Sequence, residues 1–404
     1  MSAALQTELM NLLGEDCSLV TERLRAKFDE IGFEVGETLV LFGAGFLGQR
    51  TLKAIRDLGI EPVAFSDNNP KLWNQHVGGL LVLPPTVAVR QYGQQAVFVV
   101  TIYNSSNAKR QLRELGCRAV ADFCHLYWKY AEFFLPYCAL DFPKVIFQQT
   151  SEILDAFHLW ADEASRDRYV AQLRWRLFLD FDNLPPPSAA SDLYFPEDLV
   201  TPMDSEVFLD CGAFDGDTTR EFLKRRKDRF KAVLALEPDP TSCGRLRQYV
   251  ASLPETVSSR VALREVAAST MKGMLFFDAH GDIRSSISAA GGTAIECDTL
   301  DAIMADVPPT YVKMDIEGAE TAALLGAKGI LATHNPALAI CLYHRQEDLW
   351  KLPALIHSLS DKYKLFLRSH AEQCWELVCY AIPPERVAGA AETTSQSHLT
   401  ARSA

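Results

Sequence analysis

Two glycine-rich turns constrain the fold of this chain more than any other sequence feature. The first, Gly43-Ala44-Gly45-Phe46-Leu47-Gly48, follows the apolar run TLVLF and precedes a helical pattern. The second, DCGAFDGDT at 210–218, stands between an apolar strand pattern and another helical pattern. Strands and helices alternate after both turns, which is typical of a parallel sheet covered by helices. We therefore predict an α/β chain with two tandem Rossmann-like parallel-sheet domains joined by a helical linker.

Hydrophobic periodicity and turn residues divide the 404 residues into five predicted segments. They are an N-terminal helical segment (1–36), a Rossmann-like nucleotide-binding domain (37–140), a helical linker (141–193), a second α/β domain (194–386) and a small polar tail (387–404) expected to be disordered. The linker ends in FDNLPPPSAASD, whose prolines cannot continue a helix.

Composition excludes several classes of partner. The chain carries 52 acidic and 40 basic residues, a net charge of −12, so we expect no nucleic-acid partner. No apolar run approaches the roughly 18–20 residues of a membrane span, and the N-terminus lacks the pattern of a secretory signal. Ten cysteines without a CxxC pair suit a reducing cytoplasm. The sequence leaves the oligomeric state open, a homodimer included.

The first turn is a complete GxGxxG. Gly43, Gly45 and Gly48 would let the backbone approach a pyrophosphate at the helix N-terminus. Asp67, 19 residues beyond Gly48, ends the next strand, where a carboxylate accepts hydrogen bonds from ribose hydroxyls. These four residues are candidates for nucleotide binding; the alternative is a Rossmann-like turn without a ligand. A second hypothesis is that this domain belongs to an NAD-dependent oxidoreductase, although no residue for hydride chemistry is evident beside the turn.

The stretch SDNNPKLWNQHVGGLLVLPP at 66–85 resembles a small nucleotide-binding module at the N-terminus of some sugar-modifying transferases. The resemblance implies a nucleotide or nucleotide-sugar ligand, and the domain would then help to choose the acceptor.

The second turn is acidic. Glu237 ends the following strand, 21 residues after Gly216, where its carboxylate could accept hydrogen bonds from both ribose hydroxyls. Negative groups repel a pyrophosphate but attract a ligand that carries a sulfonium and an ammonium. The charge of this turn therefore favours S-adenosylmethionine over NAD.

Six pieces in this order resemble the FkbM family of S-adenosylmethionine-dependent methyltransferases. They are YFPEDLV (194–200), EVFLDCGAFDGDT (206–218), ALEPDP (235–240), IRSSIS (283–288), ECDTLD (296–301) and YVKMDIEGAE (311–320). The resemblance implies a seven-stranded class I methyltransferase fold with the donor at the carboxyl ends of the strands. The donor-binding residues that it implies are Asp210, Gly212, Gly216, Asp217, Thr218 and Glu237. Phe214 departs from the three-glycine pattern of most methyltransferases.

Three titratable residues follow the later strands. Asp315 is our first candidate for a general base or substrate orienter, because a carboxylate can take the proton of an attacking hydroxyl. Glu317 is the second, since it would point to the same side of an extended segment. His344, after ALAICLY, is a third. No third ligand stands at motif spacing beside the two carboxylates, so we predict no metal site.

The loop RSSISAAGG holds Ser285 and Ser286 and suits either a substrate lid or an ordinary turn. The leading hypothesis is an O-methyltransferase that acts on a hydroxyl of a sugar, glycan precursor or small metabolite. A nucleotide-sugar-binding protein and a non-catalytic scaffold are alternatives, and the pattern does not separate O- from N-methylation.

Overall fold

The structure, a computed structural model, describes residues 2–32, 35, 38–181, 183–278, 286–287, 292–373 and 375–389. The chain separates into two units: residues 1–150, 170–186 and 371–375 form the first, and residues 151–169, 187–370 and 376–404 the second. This division does not follow the five predicted segments, because residues of the predicted linker 141–193 are shared between the units. In the described part of the chain, every helix is too short or too polar to span a membrane.

Helices and strands alternate through the first 148 residues, as the sequence pattern indicates. The elements are α1 (Ser2–Leu13), α2 (Cys17–Gly32), β1 (Leu39–Phe42), α3 (Phe46–Asp57), β2 (Ala64–Ser66), β3 (His76–Val77), β4 (Leu80–Leu83), α4 (Pro85–Tyr92), β5 (Val97–Val100), α5 (Ser106–Glu114), β6 (Ala119–Asp122), α6 (Phe123–Lys129), α7 (Ala131–Phe134) and α8 (Lys144–Gln148).

The first unit contains a six-stranded sheet in the order β3-β4-β2-β1-β5-β6. Its neighbours pair in parallel, except that β3 is antiparallel to β4. The β3–β4 hairpin was not predicted. Its signal was the pair Gly78-Gly79, whose φ angles of +57° and +84° suit a two-residue hairpin turn.

The rest of the chain continues the alternation. Its elements are α9 (Thr150–Leu159), α10 (Glu163–Phe178), β7 (Val207–Cys211), α11 (Asp217–Arg226), β8 (Ala232–Leu236), α12 (Pro240–Ala251), α13 (Glu255–Ser258), β9 (Val261–Arg264), β10 (Ala267–Ala268), β11 (Gly273–Asp278), β12 (Ser286–Ile287), β13 (Thr293–Asp298), α14 (Leu300–Ile303), β14 (Tyr311–Met314), α15 (Glu320–Leu325), α16 (Lys328–His334), β15 (Ala337–Cys341), α17 (Asp348–Leu359), β16 (Lys364–Ser369) and β17 (Leu377–Ile382).

The main sheet of the second unit has seven strands in the order β16-β17-β15-β14-β7-β8-β9. The strands from β15 to β9 are parallel, and β17 runs antiparallel to its neighbours. This confirms the predicted class I methyltransferase fold. Strands β7 and β14 are adjacent at the centre, so the residues that follow them lie at the same edge.

The second unit also contains a four-stranded sheet in the order β10-β13-β11-β12. Ile295, Cys297 and Leu275 form its small apolar cluster. One side of the main sheet packs on a larger core, in which Phe208 stacks on Phe222 with ring centroids 4.6 Å apart. These cores hold the strand ends at which the candidate site is built.

Candidate active site

The second glycine turn is shaped by its packing. Gly212 has a φ of +78°, and a Cβ there would lie 1.9 Å from the carbonyl oxygen of Asp315. Gly216 has a φ of +89°, and a Cβ there would lie 2.5 Å from Leu246 Cδ1. Residues that carry a Cβ rarely adopt backbone conformations with such positive φ angles. The turn after β7 therefore requires both glycines and lies in backbone contact with the residue that follows β14.

Glu237 follows β8 and bridges two loops. Its Oε2 accepts the N–H of Phe214 at 2.8 Å, and its Oε1 accepts the N–H of Asp239 at 2.8 Å. Burial raises the pKa of Glu237, although the two N–H donors oppose the shift. Each oxygen accepts one of these bonds and has a second lone pair, which is the arrangement that a ribose diol needs.

Asp210 lies in β7, directly before the glycine turn. Its carboxylate is fully buried, accepts the hydroxyl of Thr219 at 2.8 Å and lies 3.3 Å from Lys313 Nζ. Lys313 also donates to the carbonyl of Gly212 at 2.7 Å. The charge of Asp210 is therefore balanced by Lys313 within the protein. Through Lys313, which bonds to the carbonyl of Gly212, Asp210 stabilises the glycine turn. Its carboxylate has no exposed surface, and its predicted role in donor binding stays a prediction.

Asp217 and Thr218 stand at the start of α11. The Asp217 side chain is exposed, and its Oδ1 accepts the N–H of Thr218 at 2.7 Å. Asp217 is thus an acidic residue in the first turn of α11, where a negative charge suits the helix dipole, and a role toward a ligand stays a prediction.

Asp315 follows β14 directly, and its carboxylate accepts hydrogen bonds from neighbouring side chains. Its Oδ2 accepts the hydroxyl of Tyr194 at 2.8 Å, and its Oδ1 accepts that of Tyr343 at 3.1 Å. Burial raises the pKa of this carboxyl, but His344, Lys313 and Tyr194 outweigh burial and hold the pKa well below its usual range. Asp315 is therefore an ionised, oriented carboxylate rather than a strong proton acceptor.

His344 is buried beyond the end of β15. Its Nδ1 lies 2.8 Å from Glu320 Oε1, and its Nε2 lies 3.1 Å from Asp315 Oδ1. Glu320 Oε1 also accepts the N–H of Ile316 at 3.0 Å, so one carboxylate fixes both the ring and the loop. Burial lowers the pKa of His344, but Glu320 and Asp315 together raise it well above its usual value. A protonated ring orients a substrate but cannot take its proton.

Glu317 also lies next to His344, but its backbone conformation differs from the predicted one. The extended segment that we assumed is wrong, because β14 ends at Met314 and Glu317 has a φ of +54°. Its Oε2 nevertheless lies 3.8 Å from His344 Nε2, and 42% of the side chain is exposed. Burial against the cluster raises the pKa of Glu317 to about 7, with Asp315 adding to the rise and His344 opposing it.

Two further carboxylates, the buried Asp348 and the half-buried Glu376, interact electrostatically with this cluster. Burial raises the pKa of Asp348 to about 7, and the charge of Glu320 adds to the effect. Burial also raises the pKa of Glu376 to about 7, with Asp315 adding to it. The site therefore carries an excess of carboxylates over its cationic neighbours Lys313 and His344.

Three possible metal ligands lie close together, although the sequence shows no third ligand at motif spacing. Ligand atoms of Asp315, Glu317 and His344 all lie within 4.8 Å of one another. The third candidate, His344, follows the neighbouring strand β15, so its proximity depends on strand pairing rather than on a sequence motif. Sequence reasoning also assigned no role to four side chains that hold the cluster: Tyr194, Lys313, Glu320 and Tyr343. A lysine within the apolar strand YVKM was the clearest available signal, since β14 pairs Lys313 with Asp210.

The first glycine turn repeats part of this design. A Cβ at Gly48 would lie 1.9 Å from the carbonyl oxygen of Gly43, whereas a Cβ at Gly45 would meet no atom within 4 Å. Asp67 Oδ2 accepts the N–H of Ala44 at 2.8 Å, and its Oδ1 accepts the N–H of Asn69 at 2.7 Å. Gly45 is thus the one glycine of the motif whose identity packing does not explain. Of the two loop serines, Ser285 lies outside the described residues, and Ser286 begins β12.

Part of the chain matches a known protein family. A model of the methyltransferase FkbM domain matches residues 210–371. The chain is similar to a crystal structure of methyltransferase FkbM from Methylobacillus flagellatus, with 22% identity, a TM-score of 0.74 and coverage of 94% of this chain and 100% of that one. At this identity the similarity supports the fold. A precorrin-6y C5,15-methyltransferase from Geobacter metallireducens is similar over 45% of this chain and 80% of its own, at 15% identity and a TM-score of 0.28. No curated protein sequence matches the chain significantly.

Proposed function

We propose, from the premise that residues 210–371 belong to the methyltransferase FkbM domain family, that this protein uses S-adenosylmethionine to methylate a hydroxyl oxygen. The domain supports methyltransferase activity. The donor, the preference for oxygen and an acceptor that is a sugar, glycan precursor or small metabolite are our proposal.

One observation carries the proposal: the glycine turn after β7 is in backbone contact with Asp315, the first residue of the carboxylate and imidazole cluster. Lys313 reinforces this contact by its bond to the carbonyl of Gly212. A donor held by the turn would therefore be adjacent to groups that can orient an acceptor and manage its proton.

The residues present fit this donor. Glu237 offers two carboxylate oxygens, each with capacity for one ribose hydroxyl, and Phe214 lies beside it in the turn. When bound, S-adenosylmethionine would supply an electrophilic methyl group, whose bond to sulfur breaks as the acceptor oxygen bonds to carbon. The cationic sulfonium is also compatible with the excess of carboxylates nearby.

The cluster suits a hydroxyl better than an amine. A neutral amine attacks without help, whereas a hydroxyl must lose its proton as its oxygen bonds to the methyl carbon. Asp315 accepts two tyrosine hydroxyls, lies 3.1 Å from His344 Nε2 and would orient the O–H. Glu317 has the more accessible carboxylate of the two and would receive the proton or pass it to solvent.

Calorimetric titration with S-adenosylmethionine tests donor binding. Glu237→Ala should abolish it, whereas Asp361→Asn, at an exposed position of the same unit, should leave it intact. Asp315→Asn should retain donor binding and lose turnover, measured as the mass increase of one methyl group on a panel of sugars. Full activity of Asp315→Asn, or donor binding unchanged by Glu237→Ala, would refute the assignment.

For the first unit we propose a nucleotide or nucleotide-sugar ligand. The support is the unfilled space at Gly45 together with Asp67, whose oxygens each accept one loop N–H as those of Glu237 do. Titration with UDP-sugars should show binding that Asp67→Ala removes and that Asp57→Ala, at an exposed site, retains. Binding of NADH alone would favour the oxidoreductase reading of this unit, and binding of neither would reject a ligand.

A further inference from the structure

We propose that Asp315, Glu317 and His344 hold a divalent cation of the Mn²⁺ type, which binds the acceptor oxygen directly. The cation site stands on its own geometry, and only its role in methyl transfer rests on the function proposed above.

The distances suit a cation between the three side chains. His344 Nε2 lies 3.1 Å from Asp315 Oδ1 and 3.8 Å from Glu317 Oε2. Metal–ligand bonds of about 2.1 Å place neighbouring ligand atoms about 3.0–3.5 Å apart. The first pair already meets this spacing, and a small movement of the partly exposed Glu317 side chain brings in the third ligand.

The imidazole gives an independent indication of a ligand. His344 is more than nine-tenths buried, and among the described residues its Nε2 has no hydrogen-bond partner. Asp315 Oδ1 is 3.1 Å away but does not form a hydrogen bond with this nitrogen. A buried ring nitrogen that faces two carboxylates without a hydrogen bond is unexpected, because buried polar atoms are almost always paired. A cation bound to Nε2 removes this deficit.

The other side of the ring is arranged as at known metal sites. His344 Nδ1 lies 2.8 Å from Glu320 Oε1, and Glu320 is itself buried and tied to the N–H of Ile316. Histidines that ligate metals usually donate their second ring N–H to a carboxylate, which fixes the ring and strengthens the ligand. Glu320 would be this positioning residue.

The charges and the donor set favour a hard divalent ion. Asp315, Glu317 and Glu320 face the ring, with Asp348 and Glu376 also influencing the site, against the cation Lys313. Two carboxylates suit Mg²⁺ or Mn²⁺, and one imidazole favours the transition metal of the two. On binding, the cation replaces the Nε2 proton, which leaves to solvent.

The chemistry that follows is simple. Three protein ligands leave coordination positions for water and for the acceptor, and the 42% exposure of Glu317 provides access. An acceptor hydroxyl bound to the cation gives up its proton to solvent more readily. Its oxygen then attacks the methyl carbon, the carbon–sulfur bond breaks, and the electron pair stays on sulfur.

Electron paramagnetic resonance with Mn²⁺ alone tests the site on the full chain after chelator treatment. We expect one Mn²⁺ per chain with hyperfine coupling to an imidazole nitrogen. Asp315→Asn and His344→Gln should abolish tight binding, Glu320→Gln should weaken it about 10- to 100-fold, and the exposed Asp361→Asn should bind as the wild type does. Absence of Mn²⁺ binding or of nitrogen coupling in the wild type would overturn the site without any variant having to fold. Mn²⁺ affinity unchanged in both ligand variants would overturn it as well.

Donor titration on the same samples separates the two proposals. A chain that binds S-adenosylmethionine but no Mn²⁺ keeps the proposed function and loses the metal site. A chain that binds Mn²⁺ with nitrogen coupling but no donor keeps the metal site and loses the proposed function.

Discussion

Removing the Lys313 ammonium should destabilise the second unit strongly. Lys313 Nζ lies 3.3 Å from Asp210 Oδ1, and the two side chains are 2% and 0% exposed. In Lys313→Met the Asp210 carboxylate keeps the hydroxyl of Thr219 but loses its only described ion-pair partner. Breaking a buried pair from one side costs about 3–5 kcal/mol, a large part of the 5–15 kcal/mol that stabilises a typical domain. We expect a loss of this size in the free energy of unfolding at pH 7.

The loss should depend on pH with a definite sign. Burial already raises the pKa of Asp210 above the ordinary value of 3.8, while Lys313 opposes the rise. Without Lys313 the folded state therefore holds a proton on Asp210 to higher pH than the unfolded state does. A folded state that binds more protons loses stability as pH rises. The variant should consequently be more destabilised at pH 8 than at pH 5.

Urea unfolding, followed by fluorescence and circular dichroism, measures both effects. The control is Lys224→Met, which removes an ion pair with Glu221 from a lysine side chain that is 78% exposed and should cost less than about 1 kcal/mol. Adding Asp210→Asn to Lys313→Met removes the buried charge and should recover part of the loss. A cost for Lys313→Met below that of the control, or no pH dependence, would refute the reasoning.

Three further predictions follow from single contacts. Gly212→Ala should destabilise the second unit by about 1–3 kcal/mol and abolish donor binding in calorimetry, because its Cβ would lie 1.9 Å from the Asp315 carbonyl at a φ of +78°. Tyr194→Phe removes a hydrogen bond to Asp315 and should lower kcat while leaving the donor Kd unchanged; an unchanged kcat would show that the hydroxyl does not orient the carboxylate. Burial raises the pKa of Asp162, but bonds from Arg368 and Ser165 outweigh it and lower the pKa below 3.8. The pair should therefore stabilise the second unit above that pH and lose its effect on acidification, and acid titration of Asp162→Asn should lack this component.

The sequence predicts the fold well because local patterns determine it. Each apolar run that precedes a glycine turn becomes a buried parallel strand, and β7 and β8 each end within one residue of the motif carboxylates Asp210 and Glu237. The β3–β4 hairpin was missed because a two-residue strand has no periodicity to detect. The sequence thus predicts where long strands end, whereas it does not predict the pairing of very short strands.

Side-chain partners were harder to predict, because they depend on which strands become neighbours. Asp210 and Lys313 stand on adjacent strands, and their charges cancel only once that pairing is known. His344 has the character of an ordinary residue after a strand until Glu320 and Asp315 enclose its ring. Among the carboxylates near an acidic turn, only those that keep accessible oxygens can therefore attract a cationic ligand.

The two glycine turns show which features are general and which carry chemistry. In both units the carboxylate after the second strand accepts one N–H from the turn and one from the residue two positions later: Asp67 in the first unit and Glu237 in the second. A carboxylate at this position thus stabilises the junction of two loops whether or not a ribose binds there. The second unit differs because the strand next to the turn ends in Asp315, whose hydroxyl donors and histidine neighbour are unnecessary for closing a loop. Catalysis should accordingly depend on the residues after β14 and β15. Substitutions at Glu237 should change the donor Kd, and those at Asp315 should change kcat.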